Sequence, residues 1–151
     1  MKQSTTTQML LSLWRRARKR FSDQLGGITE RDLKKRLSET QNSVGFLIRH
    51  VAEIELMFAK NTLGEPIEVH PSTLIAQRDT GEWTKLDELL AYVEQSGKLL
   101  ETLIAGHADQ DWDRIAVTNV GSMTLAEALG GIISHTAHHG GQMALILKYA
   151  P

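Results

Sequence analysis

The feature that most constrains the fold is a helical repeat of apolar residues in four separate segments of the chain. Apolar side chains at three- and four-residue steps place one continuous apolar stripe along a helix. The predicted helices run from about Thr6 to Leu25, from about Asn42 to Asn61, from Thr84 to at least Leu103, and from Thr124 to about Tyr149. No stretch alternates in the manner of strands joined by hairpin turns, so we expect an all-α fold.

Capping boxes mark several of the predicted helix starts. In such a box a threonine hydroxyl and an acidic side chain three residues later accept hydrogen bonds from unpaired backbone N–H groups. The pairs are Thr84 with Asp87 for the third helix, Thr124 with Glu127 for the fourth, and Thr29 with Asp32 for a short extra helix in the first connection.

The length of the chain and of its connections predicts the arrangement of these helices. A chain of 151 residues is the usual size of one domain with one core, so residues 1–151 are expected to form a single four-helix bundle domain. The connections have about 16, 22 and 18 residues, whereas antiparallel neighbours are usually joined by about 2 to 8. At least one connection is therefore expected to cross the bundle and leave two consecutive helices parallel.

Composition excludes several classes of function. The 17 Lys and Arg against 18 Asp and Glu give a net charge of -1, which provides no overall attraction to nucleic acid or to an anionic membrane. The basic residues between Arg15 and Arg20 are interpreted as a solvated face of the first helix. The absence of cysteine excludes disulfides, thiolate metal ligands and a protein thiol nucleophile.

The uncharged run over residues 128–147 is as long as a membrane span but has a different composition. It contains three histidines and four glycines, which argues against a span. The N-terminal sequence lacks the pattern of a secretory signal, so a cytoplasmic protein is expected.

Three histidines fall on or near the apolar stripes of two helices. With Ile132 at zero and about 100° per residue, His139 lies about 20° and His135 about 60° from the centre of the stripe on the fourth helix. On the second helix, His50 lies about 60° from Leu47. A buried polar group without a partner costs about 1 to 3 kcal/mol, and one shared divalent ion would satisfy all three rings.

The spacing of the histidines fits this interpretation. His135 and His139 are four residues apart on one helix, which separates their Cβ atoms by about 5 to 6 Å, and His50 would complete the set from another helix. Three histidines leave a coordination position open, as catalytic zinc sites do. Zinc is favoured, although nickel or iron would suit the same ligands. The alternative is that each histidine is an ordinary core residue with a hydrogen-bond partner.

Three residues near these histidines could form hydrogen bonds around the metal site without binding the metal. Glu53 and His138 lie about 120° from the stripe centres and Gln142 about 80°. Glu53 or His138 could accept a hydrogen bond from the second ring nitrogen of a ligand histidine, and Gln142 could hydrogen-bond a metal-bound water. Glu53 and His138 could equally belong to solvated helix flanks, and Gln142 could be a helix-packing residue or could contact the substrate. Neither Glu53 nor His138 is expected to bind the metal directly.

Short motifs in both regions resemble the DinB/YfiT-like superfamily over nearly the whole chain. They are NSV at residues 42–44, followed by Leu47 and HVAE at residues 50–53, and HTAHHGGQ at residues 135–142. The resemblance implies an up-down-down-up four-helix bundle and a divalent metal on His50, His135 and His139. One position departs from the pattern, because Gly140 stands where the family often has an arginine. An anion contact from that arginine is not expected here.

The resemblance also implies possible activities. Relatives include S-transferases and isomerases that use low-molecular-weight thiols, alongside metal-dependent hydrolases. The leading hypothesis is an enzyme whose metal activates a small thiol, or water, for attack on an electrophilic small-molecule substrate. Family precedent favours thiol transfer, and the thiol would come from outside because the chain has no cysteine. The competing hypothesis is a metal-binding dimer without turnover, which a fourth protein ligand would favour.

Further expectations concern surfaces and loops. The fourth helix carries no charged residue between positions 128 and 147 and gathers small residues opposite its histidines, so a homodimer through that face is predicted. These small residues are Gly130, Ser134, Ala137 and Gly141. The loop residues Trp83 and Trp112 are expected to plug the bundle, while His70 and His107 are expected to be solvated.

Overall fold

A computed structural model describes residues 5–37 and 42–151, and α-helices form most of it. The α-helices are α1 (Thr6–Leu25), α2 (Val44–Asn61), the short α3 (Ser72–Ala76), α4 (Leu86–Gly106) and α5 (Leu125–Tyr149). Two short strands, β1 (Ile115–Thr118) and β2 (Gly121–Thr124), lie between α4 and α5. One 3-10 turn, Asp32–Lys34, lies between α1 and α2, and a second, Asp109–Asp113, precedes β1. The predicted all-α class is confirmed apart from this small hairpin. In the described part of the chain, no helix is both long and apolar enough to cross a membrane.

Side-chain capping marks the N-termini of α1, α2 and α5. The predicted box of Thr124 and Glu127 is present at the start of α5, and Asp32 accepts hydrogen bonds from both the N–H and the hydroxyl of Thr29 at 2.8 Å. The expected extra helix is a single 3-10 turn that begins at Asp32, and its N-cap Arg31 makes no side-chain capping bond. The second long helix has Ser43 as its N-cap. Its first residue is Val44, two residues later than the predicted start at about Asn42.

The predicted capping box at Thr84 is wrong. Helix α4 begins at Leu86, and its N-cap Lys85 is extended and makes no side-chain capping bond. The backbone N–H of Thr84 donates to the carbonyl of Glu82 instead. The acidic first turn, with Asp87 and Glu88, still complements the positive end of the helix dipole.

The short hairpin of β1 and β2 was not predicted from the sequence. Strands β1 and β2 pair antiparallel, with Thr118 opposite Gly121 across a two-residue loop. Each strand has four residues, and Ile115 and Val117 point their apolar side chains to solvent, so no long alternation marks the hairpin. Ala116 and Met123 attach it to the core.

The four long helices pack around two clusters of buried side chains. Both α1 and α2 pack against α4 and α5. The first cluster is built around Phe21, Leu47, Val51, Val93 and Met143, and the second around Trp14, Phe58, Leu100, Ile104 and Leu129. Trp83 belongs to the first cluster and Trp112 to the second. Both tryptophans are therefore buried, as predicted for plugs.

Helix α2 and the connection leading to α4 approach unusually closely at Gly45. A Cβ atom on residue 45 would lie 2.0 Å from the carbonyl oxygen of Trp83. Because backbone atoms cannot overlap in this way, the contact requires glycine. Gly45 thus fixes the end of the long connection against the first turn of α2.

The interpretation of the basic run as a solvated face is wrong for one residue, Arg18. Its side chain is buried between helices, where Nε lies 2.8 Å from Glu55 Oε1. The guanidinium also donates to Ser22 Oγ and to the carbonyl of Val93. Burial raises the pKa of Glu55, and the adjacent Arg18 charge opposes that rise. The long arginine side chain reaches inward to a charge on α2 that the sequence pattern of α1 alone does not reveal.

Candidate metal centre

The packing of α2 against α5 brings the three predicted histidines together. One ring nitrogen from each of His50, His135 and His139 lies within 4.8 Å of the others. The Nε2 atoms of His50 and His135 are 3.0 Å apart. Helix α2 supplies one ring, and two successive turns of α5 supply the other two.

These distances fit a single divalent ion. Two imidazole nitrogens bound to one tetrahedral zinc at about 2.0 to 2.1 Å lie about 3.3 Å from each other, close to the 3.0 Å that separates Nε2 of His50 from Nε2 of His135. Within residues 5–37 and 42–151, the donor group consists of the three histidines and includes no carboxylate. The group can therefore hold a metal while leaving part of its coordination sphere to other ligands.

The electrostatic state of the rings suits a metal ligand. Burial, together with the nearby His139, lowers the pKa of His50 to about 4 and that of His135 to about 3. Burial also lowers the pKa of His139, although its hydrogen bond to Gln142 opposes this. At neutral pH the rings are uncharged, and a neutral imidazole has the free lone pair that a metal requires.

Gln142 supports His139 from behind. Its Oε1 atom accepts a hydrogen bond from His139 Nδ1 at 2.7 Å. Because Nδ1 is then the protonated nitrogen, Nε2 of His139 carries the lone pair. His138 is exposed on the helix flank, and its ring contacts the edge of His139 with centroids 5.1 Å apart.

Glu53 is neither a solvated residue nor a direct hydrogen-bond partner of a histidine. Its carboxylate is fully buried, so the solvated-flank interpretation is wrong. It contacts Thr73 rather than a histidine, and Thr73 Oγ1 lies 3.0 Å from His50 Nδ1. Helix α3 covers this flank of α2, which explains the burial. Sequence reasoning missed Thr73, whose only signal is its place one residue into a short helix after Pro71.

Unlike Nδ1 of His50 and of His139, the Nδ1 atom of His135 makes no hydrogen bond in the described part of the chain. This atom is buried. Two histidines of the donor group, His50 and His139, are therefore oriented by a hydrogen bond to Nδ1, and His135 is not.

Gly140, the position that departs from the family pattern, faces α1. A Cβ atom there would lie 3.7 Å from Phe21, and the Gly140 carbonyl accepts a hydrogen bond from Gln24 Nε2 at 3.1 Å. In this structure the position serves helix packing.

The two remaining histidines differ from each other. His70 is exposed, as predicted. His107 is half-buried, its Nδ1 lies 2.7 Å from the carbonyl oxygen of Leu103, and its ring contacts Trp112. The prediction that His107 is solvated is wrong because it caps the end of α4 beside a buried tryptophan.

A helical fold that presents three neutral histidines to one point defines a class of α-helical proteins with a candidate metal centre. The family model of the DinB superfamily matches residues 13–143 of this chain, a range that includes all three histidines. The chain belongs to the DinB superfamily. No curated protein and no solved structure matches it.

Proposed function

We propose that this protein is a metal-dependent enzyme that transfers a low-molecular-weight thiol to an electrophilic small molecule. The observation that carries the proposal is the convergence of three neutral histidines with no carboxylate in their donor group. Three protein ligands are typical of catalytic zinc sites, whereas structural zinc sites have four. Zinc is the favoured ion, and nickel or iron would suit the same nitrogen ligands.

The residues of the chain have separate roles in this proposal. His50, His135 and His139 would hold the ion, and Gln142 orients His139. A divalent ion bound there would act as a Lewis acid and lower the pKa of a thiol. The chain has no cysteine, so the thiol would be a free small molecule. Membership of the DinB superfamily supports thiol transfer over hydrolysis.

We also propose that the four long helices form the up-down-down-up bundle that the family resemblance implies. Contacts between helices support it. Thr7, at the start of α1, donates to the carbonyl of His107 at the end of α4, as expected for an antiparallel pair. Glu55 of α2 accepts from Ser96 midway along α4, and Phe58 shares a buried cluster with Leu100, as in a parallel pair.

Metal analysis of the purified protein tests the proposed site. We expect about one divalent ion per chain in the wild type and its loss in His139→Ala. His138→Ala is a matched control, because it removes an exposed histidine next to a ligand and should keep the ion. Full metal retention in His139→Ala would exclude the assignment.

An activity screen tests the proposed reaction. Electrophilic substrates should be consumed only when a low-molecular-weight thiol is present, and His139→Ala should lose most of this activity because it removes a proposed metal ligand. Turnover without any thiol would favour the hydrolase alternative. A metal-loaded protein that is inactive with every thiol would favour the non-catalytic one.

A further inference from the structure

A continuous line of hydrogen bonds runs from the candidate metal centre to a buried carboxylate by way of Thr73. The Thr73 side chain is 2% exposed and lies on α3, outside the two helices that carry the histidines. Its Oγ1 atom is 3.0 Å from His50 Nδ1 and also contacts Glu53 Oε2. Thr73 is therefore the link between His50 and Glu53.

The carboxylate of Glu53 fixes the direction of these hydrogen bonds. It accepts from Arg49 Nε at 2.6 Å and from Ser72 Oγ at 2.7 Å through one oxygen. The other oxygen accepts from the Thr73 N–H at 2.9 Å and from the Thr73 hydroxyl. Arg49 balances the negative charge, so the carboxylate has no proton to donate.

The position of the ring proton on His50 follows because the Thr73 hydroxyl has only one proton to donate. Because Thr73 Oγ1 donates its proton to Glu53, it can only accept from His50. Nδ1 of His50 must then carry the ring proton, which leaves the lone pair on Nε2. Nε2 is the atom that faces the other histidines, 3.0 Å from His135 Nε2.

We propose that Thr73 is a positioning residue that holds His50 in the Nδ1–H tautomer and so keeps its Nε2 atom available to a metal ion. The inference rests on the proposed metal site. Gln142 does the same for His139 from within α5. Thr73 differs because it lies on α3, in the connection between α2 and α4 and outside both helices that carry the histidines.

The first test measures the tautomer in metal-free protein, by long-range nitrogen–proton correlations of the His50 ring. We expect a single Nδ1–H tautomer in the wild type and in Thr73→Ser, and its loss in Thr73→Val. A wild-type His50 protonated at Nε2, or an unchanged tautomer in Thr73→Val, would overturn the proposal.

Two control variants separate positioning from a merely structural role. Ser72→Ala removes a different hydrogen bond between α3 and Glu53 without touching His50. Thr136→Val replaces a buried threonine beside His135 whose hydroxyl has no partner in the described part of the chain. Both should keep the wild-type tautomer. A change in Ser72→Ala equal to that in Thr73→Val would show that docking of α3 alone sets the ring, and would also overturn the proposal.

The second test measures zinc affinity by competition with a chelator. Loss of a residue that orients a ligand histidine typically weakens metal binding by about 10- to 100-fold, and we expect this in Thr73→Val, with rescue in Thr73→Ser. Equal affinities in Thr73→Val and the wild type would contradict the role. A wild type that binds no zinc would refute the proposed function instead, and the tautomer measurement would still decide the role of Thr73.

Discussion

At the scale of single residues, burial of the donor histidines has an energetic consequence for the metal-free protein. An unfolded chain protonates histidine near pH 6.5. In the fold, burial lowers the pKa of His50 to about 4 and that of His135 to about 3. Between these values the unfolded chain binds protons that the folded chain does not. The free energy of unfolding must therefore fall as the pH decreases from 6.5 toward 4.

This loss of stability can be measured by urea unfolding of the protein in the presence of a chelator. A pKa lowered from 6.5 to about 4 corresponds to roughly 3 kcal/mol for His50. The decrease should be complete near pH 4 for this residue, and a His50→Gln variant should show a shallower decrease than the wild type. Identical pH profiles for the two proteins would contradict the prediction.

The sequence was enough to bring the three candidate histidines together, whereas the residues that hydrogen-bond to them could be predicted only in part. His135, His139 and Gln142 lie on successive turns of one helix, where residue spacing fixes direction. Thr73 lies in a connection 23 residues beyond His50, and no periodicity relates the two. Arg18 was misjudged for a similar reason, since its partner Glu55 is on another helix.

At the scale of secondary structure, the close contact between α2 and the connection to α4 gives a sharp prediction. Gly45→Ala would place a methyl group 2.0 Å from the Trp83 carbonyl oxygen, so the backbone must move. Overpacking of this kind typically costs about 1 to 3 kcal/mol, so the free energy of unfolding of Gly45→Ala should be lower than that of the wild type by about this much.

Gly131→Ala is the matched control for Gly45→Ala. Gly131 is exposed inside α5, and a Cβ atom there would meet nothing within 4 Å. Alanine is a better helix former than glycine by about 1 kcal/mol, so this variant should be more stable than the wild type. Equal stabilities of the two variants would show that the contact at Gly45 is looser than described.

The long helices were predicted well because each carries an apolar stripe, and for α5 a local start signal also fixed the first residue. Helix α5 has its stripe and the Thr124 box, and the structure reproduces both. At Thr84 the same signal failed because burial of Trp83 holds the preceding chain against α2, and the helix begins two residues later. The hairpin and α3 are too short for periodicity, so tertiary contacts determine them.

At the scale of the whole molecule, α5 has two faces of different character. One face carries the donor histidines toward α2, and the opposite face carries small residues that are all exposed in a single chain. These exposed residues are Gly130, Ser134, Ala137 and Gly141. Leu145 and Tyr149 continue the exposed surface toward the end of the helix, at 52% and 63% exposure. A water-facing helix normally carries charged residues, and none occurs here between residues 128 and 147.

We therefore predict a homodimer in which the small-residue face of α5 packs against the same face of a second chain. Small side chains allow two helices to approach closely, and the absence of charge removes the desolvation cost of burying that face. Light scattering should give the mass of two chains for the wild type and of one chain for Gly141→Glu, which would bury a carboxylate at the interface. Ala91→Glu, on an exposed position of α4, should remain dimeric. A monomeric wild type would refute the dimer, and a dimeric Gly141→Glu would place the interface elsewhere.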